Sequence, residues 1–398
     1  MSQSSRFLSL GLCTCACALF TSAASAQTEK LLVGQLKGDQ TKPKVALGPK
    51  GGYLVWQDNS IDKNGMGIGF CRLNPDGSVI PGIGIANIQK VADQENPDIA
   101  LLSNGNSAIV WQGGKQGAQQ VYLRIIGAKP ITGDLLANTY FYGFQTDPHV
   151  SANTNSMLIT WTSYRINGTQ PAVYGQFYNN AGVKWGAEIK INAYAKYVCL
   201  GGESTSLKNN NYVVGWSAQA VRTSNSVDAY AKIYSPARAV VTSEFRLNTS
   251  DNVCSSPTLA SSPDGGFVAV WSERNYSNDG KWNTYTRKFS NTGVALTDVL
   301  PLNIPENGGG FSSHIKANKD GFIALWTNIG RDGSEEGIYG VQLSTTLQSQ
   351  GEEFQVNDLT KGRQIHPSLF INNSGIPVAV WSTPKVGSGF DMASKLLQ

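Results

Sequence analysis

Apolar and polar positions alternate along most of the chain in short runs separated by Gly, Asn, Asp and Pro, the pattern of half-buried β-strands joined by turns. The runs recur. Trp stands at 56, 111, 161, 216, 271, 326 and 381, at intervals of 50 or 55 residues, each time closing an apolar run such as Tyr53-Leu54-Val55-Trp56, Phe267-Val268-Ala269-Val270-Trp271 or Pro377-Val378-Ala379-Val380-Trp381. A shorter run precedes it, often opened by Pro (Pro43, Pro97, Pro148, Pro257, Pro367), and compact turns such as Pro263-Asp264-Gly265-Gly266 join the two. After a variable loop comes a run with a recurring Tyr (122, 174, 230, 285, 339), then one closing on Asn, as in Ile189-Lys190-Ile191-Asn192 and Phe354-Gln355-Val356-Asn357. Four strands per repeat, seven times over, predict an all-β, seven-bladed β-propeller with four antiparallel strands per blade.

The seventh repeat supplies only three strands before Gln398, while Leu31-Leu32-Val33-Gly34-Gln35-Leu36 stands where other repeats have their fourth. The N-terminal strand is therefore expected to complete the last blade and close the ring. Residues 1–26 read as a secretory signal: one early positive charge, an apolar stretch from Phe7 to Phe20, and Ala24-Ser25-Ala26 before Gln27. Residues 27–398 are then one domain, expected to be secreted, whether extracellular, on the cell surface or periplasmic, with no membrane insertion.

Gly337-Ile338-Tyr339-Gly340, Glu353-Phe354-Gln355-Val356-Asn357, His366-Pro367-Ser368-Leu369 and Val378-Ala379-Val380-Trp381 together resemble the Trp-containing tandem β-propeller repeats of bacterial secreted and cell-surface proteins. The resemblance covers the chain from residue 27 on. It implies the fold and the address but no settled activity.

Composition changes the picture little. Thirty-two Lys and Arg against 28 Asp and Glu, with no basic run, argue against a nucleic-acid partner. Of six Cys, Cys13, Cys15 and Cys17 lie in the signal. Cys199 and Cys254 each lie 17 residues before a repeat Trp, so they are expected to form a disulfide, with Cys71 a buried thiol.

Chemistry is expected on the variable loops, which strand alternation places on one face of the disc. The candidate ligand-binding residues there are Asp58, Asp62, Tyr164, Arg165, Arg274, Tyr276, Asp279, Trp282, Arg331 and Glu335. The seven periodic Trp are assigned to packing between blades instead. Ser60-Ile61-Asp62-Lys63-Asn64-Gly65 is half of a calcium loop, but Ser replaces the leading Asp and no acid closes it. No cofactor is expected beyond that fragment. His149, His314 and His366 fall near the central channel, the first two nearly opposite each other, so no shared metal site is expected. Ser262-Pro263-Asp264-Gly265-Gly266 resembles the opening of a sialidase Asp-box, but Trp271 falls two residues late.

No nucleophile, phosphate-loop or zinc-protease motif is present. The expectation is thus a non-catalytic propeller that binds a glycan or an extracellular protein. The alternatives are a polysaccharide-acting hydrolase or lyase using loop carboxylates, and a structural component of an extracellular assembly.

Overall fold

The computed structural model describes residues 28–397 apart from 166–169, 194–196, 221–226, 256, 275–279, 305–308, 386 and 388. The signal segment, Tyr276 and Asp279 therefore lie outside the described residues. Those described form 29 strands, and no helix among them is long and apolar enough to cross a membrane.

The first repeat forms an antiparallel sheet in chain order from Gln40–Gly48, Gly51–Asp58, Gly67–Leu73 and Val79–Ile85. Sheets of four strands also start at Asp93–Leu101, Phe144–Ala152 and Gly310–Ala317. A nine-stranded sheet holds two such groups, beginning at Tyr197–Ser206 and Thr258–Ser261. They are stitched together by Val253–Cys254, which runs parallel to Val227–Tyr234 and antiparallel to Phe267–Arg274. In the last sheet Ile365–Ile371, Pro377–Pro384 and Phe390–Leu396 receive Lys30–Leu31 as fourth strand, with Lys30 opposite Ser394 and Leu31 opposite Ala393. No individual sheet closes on itself.

The N-terminal segment repeats an internal device. The Glu188 carboxylate accepts the amides of Thr139 at 2.6 Å and Tyr140 at 3.4 Å, just past the end of the preceding sheet. Glu29 accepts those of Asp358 at 2.8 Å and Leu359 at 3.1 Å in the same way. The register is thus held by polar ties as well as by two residues of strand.

All seven periodic Trp are at most 1% exposed, as packing between sheets requires. Trp161, for example, packs on Val110, Leu123 and Ile125 of the preceding sheet. The recurring Tyr is the cross-strand partner of the Trp: Trp111 faces Tyr122, Trp161 faces Tyr174, Trp216 faces Tyr230, Trp271 faces Tyr285 and Trp326 faces Tyr339. In the first repeat the partner is Gly69, where an added Cβ would meet the Trp56 ring at 2.4 Å. The close approach of that ring explains why this repeat has no Tyr.

The Asn that ends each fourth run is also structural. The Oδ1 atoms of Asn87, Asn138, Asn192, Asn248, Asn303 and Asn357 accept the backbone amides of Ile68, Val121, Val173, Ala229, Thr284 and Ile338, 19 residues back in five repeats and 17 in the second. All six side chains are buried, where an unpaired amide costs ~1–3 kcal/mol, so the Asn satisfies a third-strand donor that the short fourth strand does not reach.

The expected disulfide is absent: Cys71, Cys199 and Cys254 are free and buried. Cys199 packs in the layer with Trp216 and Val173, whereas Cys254 packs one layer further on, with Trp271 and Ala229. Equal spacing from a Trp makes two residues equivalent, but it leaves them in separate layers. Burial pushes the Cys71 and Cys199 thiols up to about 12, out of reach of nucleophilic chemistry at neutral pH.

Candidate functional site: the axial cavity

First strands from every repeat but the fourth line a cavity of about 360 Å³. Six of the first strands carry a β-bulge at an equivalent place. The pairing register slips between Thr41 and Lys44, Glu95 and Asp98, Thr146 and His149, Leu200 and Glu203, Phe311 and His314, and Ile365 and Ser368. Inside each slip one residue adopts a left-handed backbone: Lys42 (φ 54°), Asn96 (51°), Asp147 (49°), Gly201 (68°), Ser312 (49°) and His366 (56°). The corresponding position of the fifth repeat, residue 256, lies outside the described residues. Only Gly takes this conformation without penalty, and for other residues it costs on the order of 1–3 kcal/mol. Five such non-glycine residues around one cavity, held there by bulges that re-aim side chains, mark the place as a candidate site.

The left-handed residues are linked across sheets. Lys42 Nζ donates to Asn96 Oδ1, and Asn96 Nδ2 donates to Asp147 Oδ1 at 2.9 Å. Gln112 Oε1 accepts from both Asn96 Nδ2 and the Asp147 amide, at 2.9 and 3.0 Å. Two residues further along, Lys44, Asp98, His149, Glu203 and His314 form a second layer. Asp98 lies 3.5 Å from His149 Nδ1 and accepts the Val150 amide at 2.9 Å. Glu203 accepts the Leu259 amide at 3.1 Å, so both acids tie one first strand to the next.

The three His, expected near the central channel, share this cavity. Their environments differ. Burial pulls the His149 imidazole down, but its hydrogen bond to Asp98 and the charges of Asp98 and Glu203 more than offset this, so its pKa lies above the ordinary value. Burial also works to raise the Asp98 carboxyl, yet His149, Lys44 and the Val150 amide bring it down to about 2. At His366 burial and the charges of Lys42, Lys44 and Arg363 act together and bring the imidazole down to about 4. His314 is lowered too, by burial first, and its Nδ1 is buried without a hydrogen-bond partner among the described residues. Among those residues no group of three or more His, Cys, Asp or Glu is placed to hold a metal ion.

The cavity opens on the variable-loop face, since Gln40 at the start of the first strand pairs with Asp58 at the loop end of the second. The described loop candidates do not line it. Asp58 is 2% exposed and accepts from Trp56 Nε1, Gln40 Nε2 and the Ser60 amide. Asp62, itself buried, accepts from the Asn64 amide and Asn87 Nδ2. Arg165 lies between the rings of Tyr140 and Tyr174 and pairs with Glu188 at 2.6 Å. Arg331 repeats that clamp on Tyr339 and Glu353. Tyr164 stacks on Phe144 at 4.2 Å. Arg274 Nε donates to the Gly280 carbonyl at 2.7 Å and faces the half-buried Trp282 across the strands, while Glu335 is exposed. The Asp-box-like stretch is a hairpin turn at the far end of the first strand, with Asp264 paired to Lys288.

No protein-family model matches the chain. No curated protein matches it either. Among solved structures it is similar to an α-L-arabinanase from Penicillium chrysogenum, at 11% identity and TM-score 0.54 over 77% of this chain and 93% of that one. It is similar to an ulvan lyase, a polysaccharide lyase, at 9% identity and TM-score 0.51 over 77% and 79%. A sialidase from Trypanosoma rangeli matches at 10% identity and TM-score 0.51 over 88% and 59%. The chain has the β-propeller fold. The expectation of a non-catalytic binder is corrected by these comparisons, since these three propellers are by name an arabinanase, a polysaccharide lyase and a sialidase. The correction extends to the residues: the loop carboxylates at Asp58 and Asp62 are consumed in structural bonds, and the titratable groups that meet an open cavity lie beside the first-strand Pro.

Proposed function

We propose that the chain is a secreted, seven-bladed propeller, closed by Lys30–Leu31, that cleaves a carboxylate-bearing polysaccharide by β-elimination in the axial cavity. One observation carries the reading: His149 and His366 line the same cavity, in environments that push their proton affinities apart. Such a divided pair supplies an acid and a base at one pH. His366, neutral at pH 7, accepts the proton next to the substrate carboxylate. The electron pair left behind forms the new carbon–carbon double bond, and the bond to the leaving glycosidic oxygen breaks. His149, whose proton affinity Asp98 raises, returns a proton to that oxygen. Lys42 and Lys44 face the carboxylate and stabilise the charge that develops on it. A hydrolase with paired carboxylates fits less well, because Asp98 is fixed in the ionised state by His149 and a backbone amide and has no proton to give.

The substrate class is tested by offering the purified protein a carboxylated polysaccharide and the same polymer with its carboxyl groups reduced to alcohols. Cleavage of the native polymer only is expected. Equal cleavage of both would remove the role given to Lys42 and Lys44.

A further inference from the structure

Beside the cavity mouth, the connection between the second and third repeats carries Tyr140, Phe141 and Tyr142 in succession. Phe141 and Tyr142 are 60% and 61% exposed, with ring centroids 5.2 Å apart. Tyr140 lies 5.8 Å from Tyr142, edge-on. The equivalent stretches after Asn248 and Asn357 are Thr249-Ser250-Asp251-Asn252 and Asp358-Leu359-Thr360-Lys361, so the propeller scaffold does not require aromatic residues here. Uncovered aromatic rings are costly in water and need a reason outside the fold.

The ridge is firmly based. Glu188 accepts the amides of Thr139 and Tyr140, and the Arg165 guanidinium lies 4.2 Å over the Tyr140 ring. It is also continuous with the cavity. Phe144 follows in the next strand, stacked on Tyr164, and Asp147, three residues on, lies close enough for its charge to act on the Tyr164 hydroxyl. Three residues of strand span ~10 Å. Against Tyr140 lies a groove of about 220 Å³, lined by Arg165, Gln170, Tyr174 and the exposed Lys190.

We propose that Tyr140, Phe141 and Tyr142 form a glycan-binding subsite that receives the polysaccharide outside the cavity and leads it past Asp147 to the reacting groups. The occupant follows from the chemistry of the surface. A sugar ring presents an apolar C–H face that stacks on an aromatic ring while its hydroxyls stay in water. Lys190 beside the ridge complements a carboxylated chain. The subsite rests on the function proposed above, for it names how that substrate is held.

The test is affinity electrophoresis of the purified protein through gels containing the carboxylated polysaccharide. The Phe141→Ala/Tyr142→Ala variant is run beside wild type, with Val294→Ser, an exposed apolar residue on the opposite face, as control. Both changed rings are at the surface, and an unaltered melting temperature checks that folding is intact. Retardation by polysaccharide is expected in wild type and in Val294→Ser, and about tenfold weaker in the double variant. Equal retardation of the double variant overturns the subsite, as does a wild type that the polysaccharide does not retard. Turnover of the same polymer is measured in parallel. Turnover with undiminished retardation of the variant sinks the subsite alone, whereas lost retardation without turnover sinks the reaction and upholds the subsite.

Discussion

His149→Gln and His366→Ala are each expected to lower the turnover of a carboxylated polysaccharide by about 10²–10⁴-fold, the range for loss of a positioned acid or base. A melting temperature is taken for each, since His149→Gln leaves the buried Asp98 without its imidazole partner. Their pH profiles separate the roles. The base must be neutral, so the wild-type rate should rise as pH climbs through the His366 value, about 4. The acid must be protonated, so the rate should fall again above the raised His149 value. His149→Gln should lose the alkaline limb and keep the acid one, and His366→Ala the reverse. Identical profiles in wild type and both variants would take both His out of the reaction.

Trp326→Ala is expected to destabilise the protein by ~3–5 kcal/mol, as for large aromatic residues removed from cores. Its ring is fully buried against Ile315, Phe322 and Tyr339, and Val268 and Val270 of the preceding sheet share that layer. The damage therefore lies at a junction between sheets, where a repeat fold holds its nearest-neighbour energy. The midpoint of chemical denaturation should fall clearly. A shift corresponding to less than ~1 kcal/mol would contradict the packing role given to the periodic Trp.

That role was legible because inter-sheet packing demands the same large side chain at the same strand position every time, and a fixed demand leaves a fixed period. The Asn that accepts a third-strand amide is legible for the same reason, although its purpose is visible only once Asn87 is seen on Ile68 and Asn357 on Ile338. The candidate site was less legible. Asp58, Asp62, Arg165 and Arg331 are polar residues in variable loops, and nothing local distinguishes a side chain offered to a ligand from one that caps a turn. One clue was present: Arg165 and Arg331 each precede a repeat Tyr and a Glu (Tyr174 and Glu188, Tyr339 and Glu353), and residues that recur with the repeat serve the repeat.

The cavity groups obey the opposite rule. They flank one register position, the first-strand Pro or Ser313 in the sixth repeat, yet differ from repeat to repeat: Lys42, Asn96, Asp147, Ser312 and His366 before that point, and Lys44, Asp98, His149 and His314 after it. Variation at a fixed place on a repeated scaffold was the available signal, and the Pro was read only as the start of a strand. The bulge that turns these residues inward depends on pairing with the second strand, which no single run of sequence displays. The disulfide failed for a related reason, because equivalent positions at Cys199 and Cys254 belong to separate layers.

The account stands on elimination chemistry in the axial cavity, and one measurement reaches it directly. Wild type and His366→Ala are incubated with a panel of carboxylated polysaccharides, and new reducing ends are followed together with the ultraviolet absorbance of an unsaturated product. The expected result is that wild type raises both signals in step on at least one polymer and His366→Ala raises neither. Reducing ends without absorbance, or equal signals from the two proteins, would contradict it.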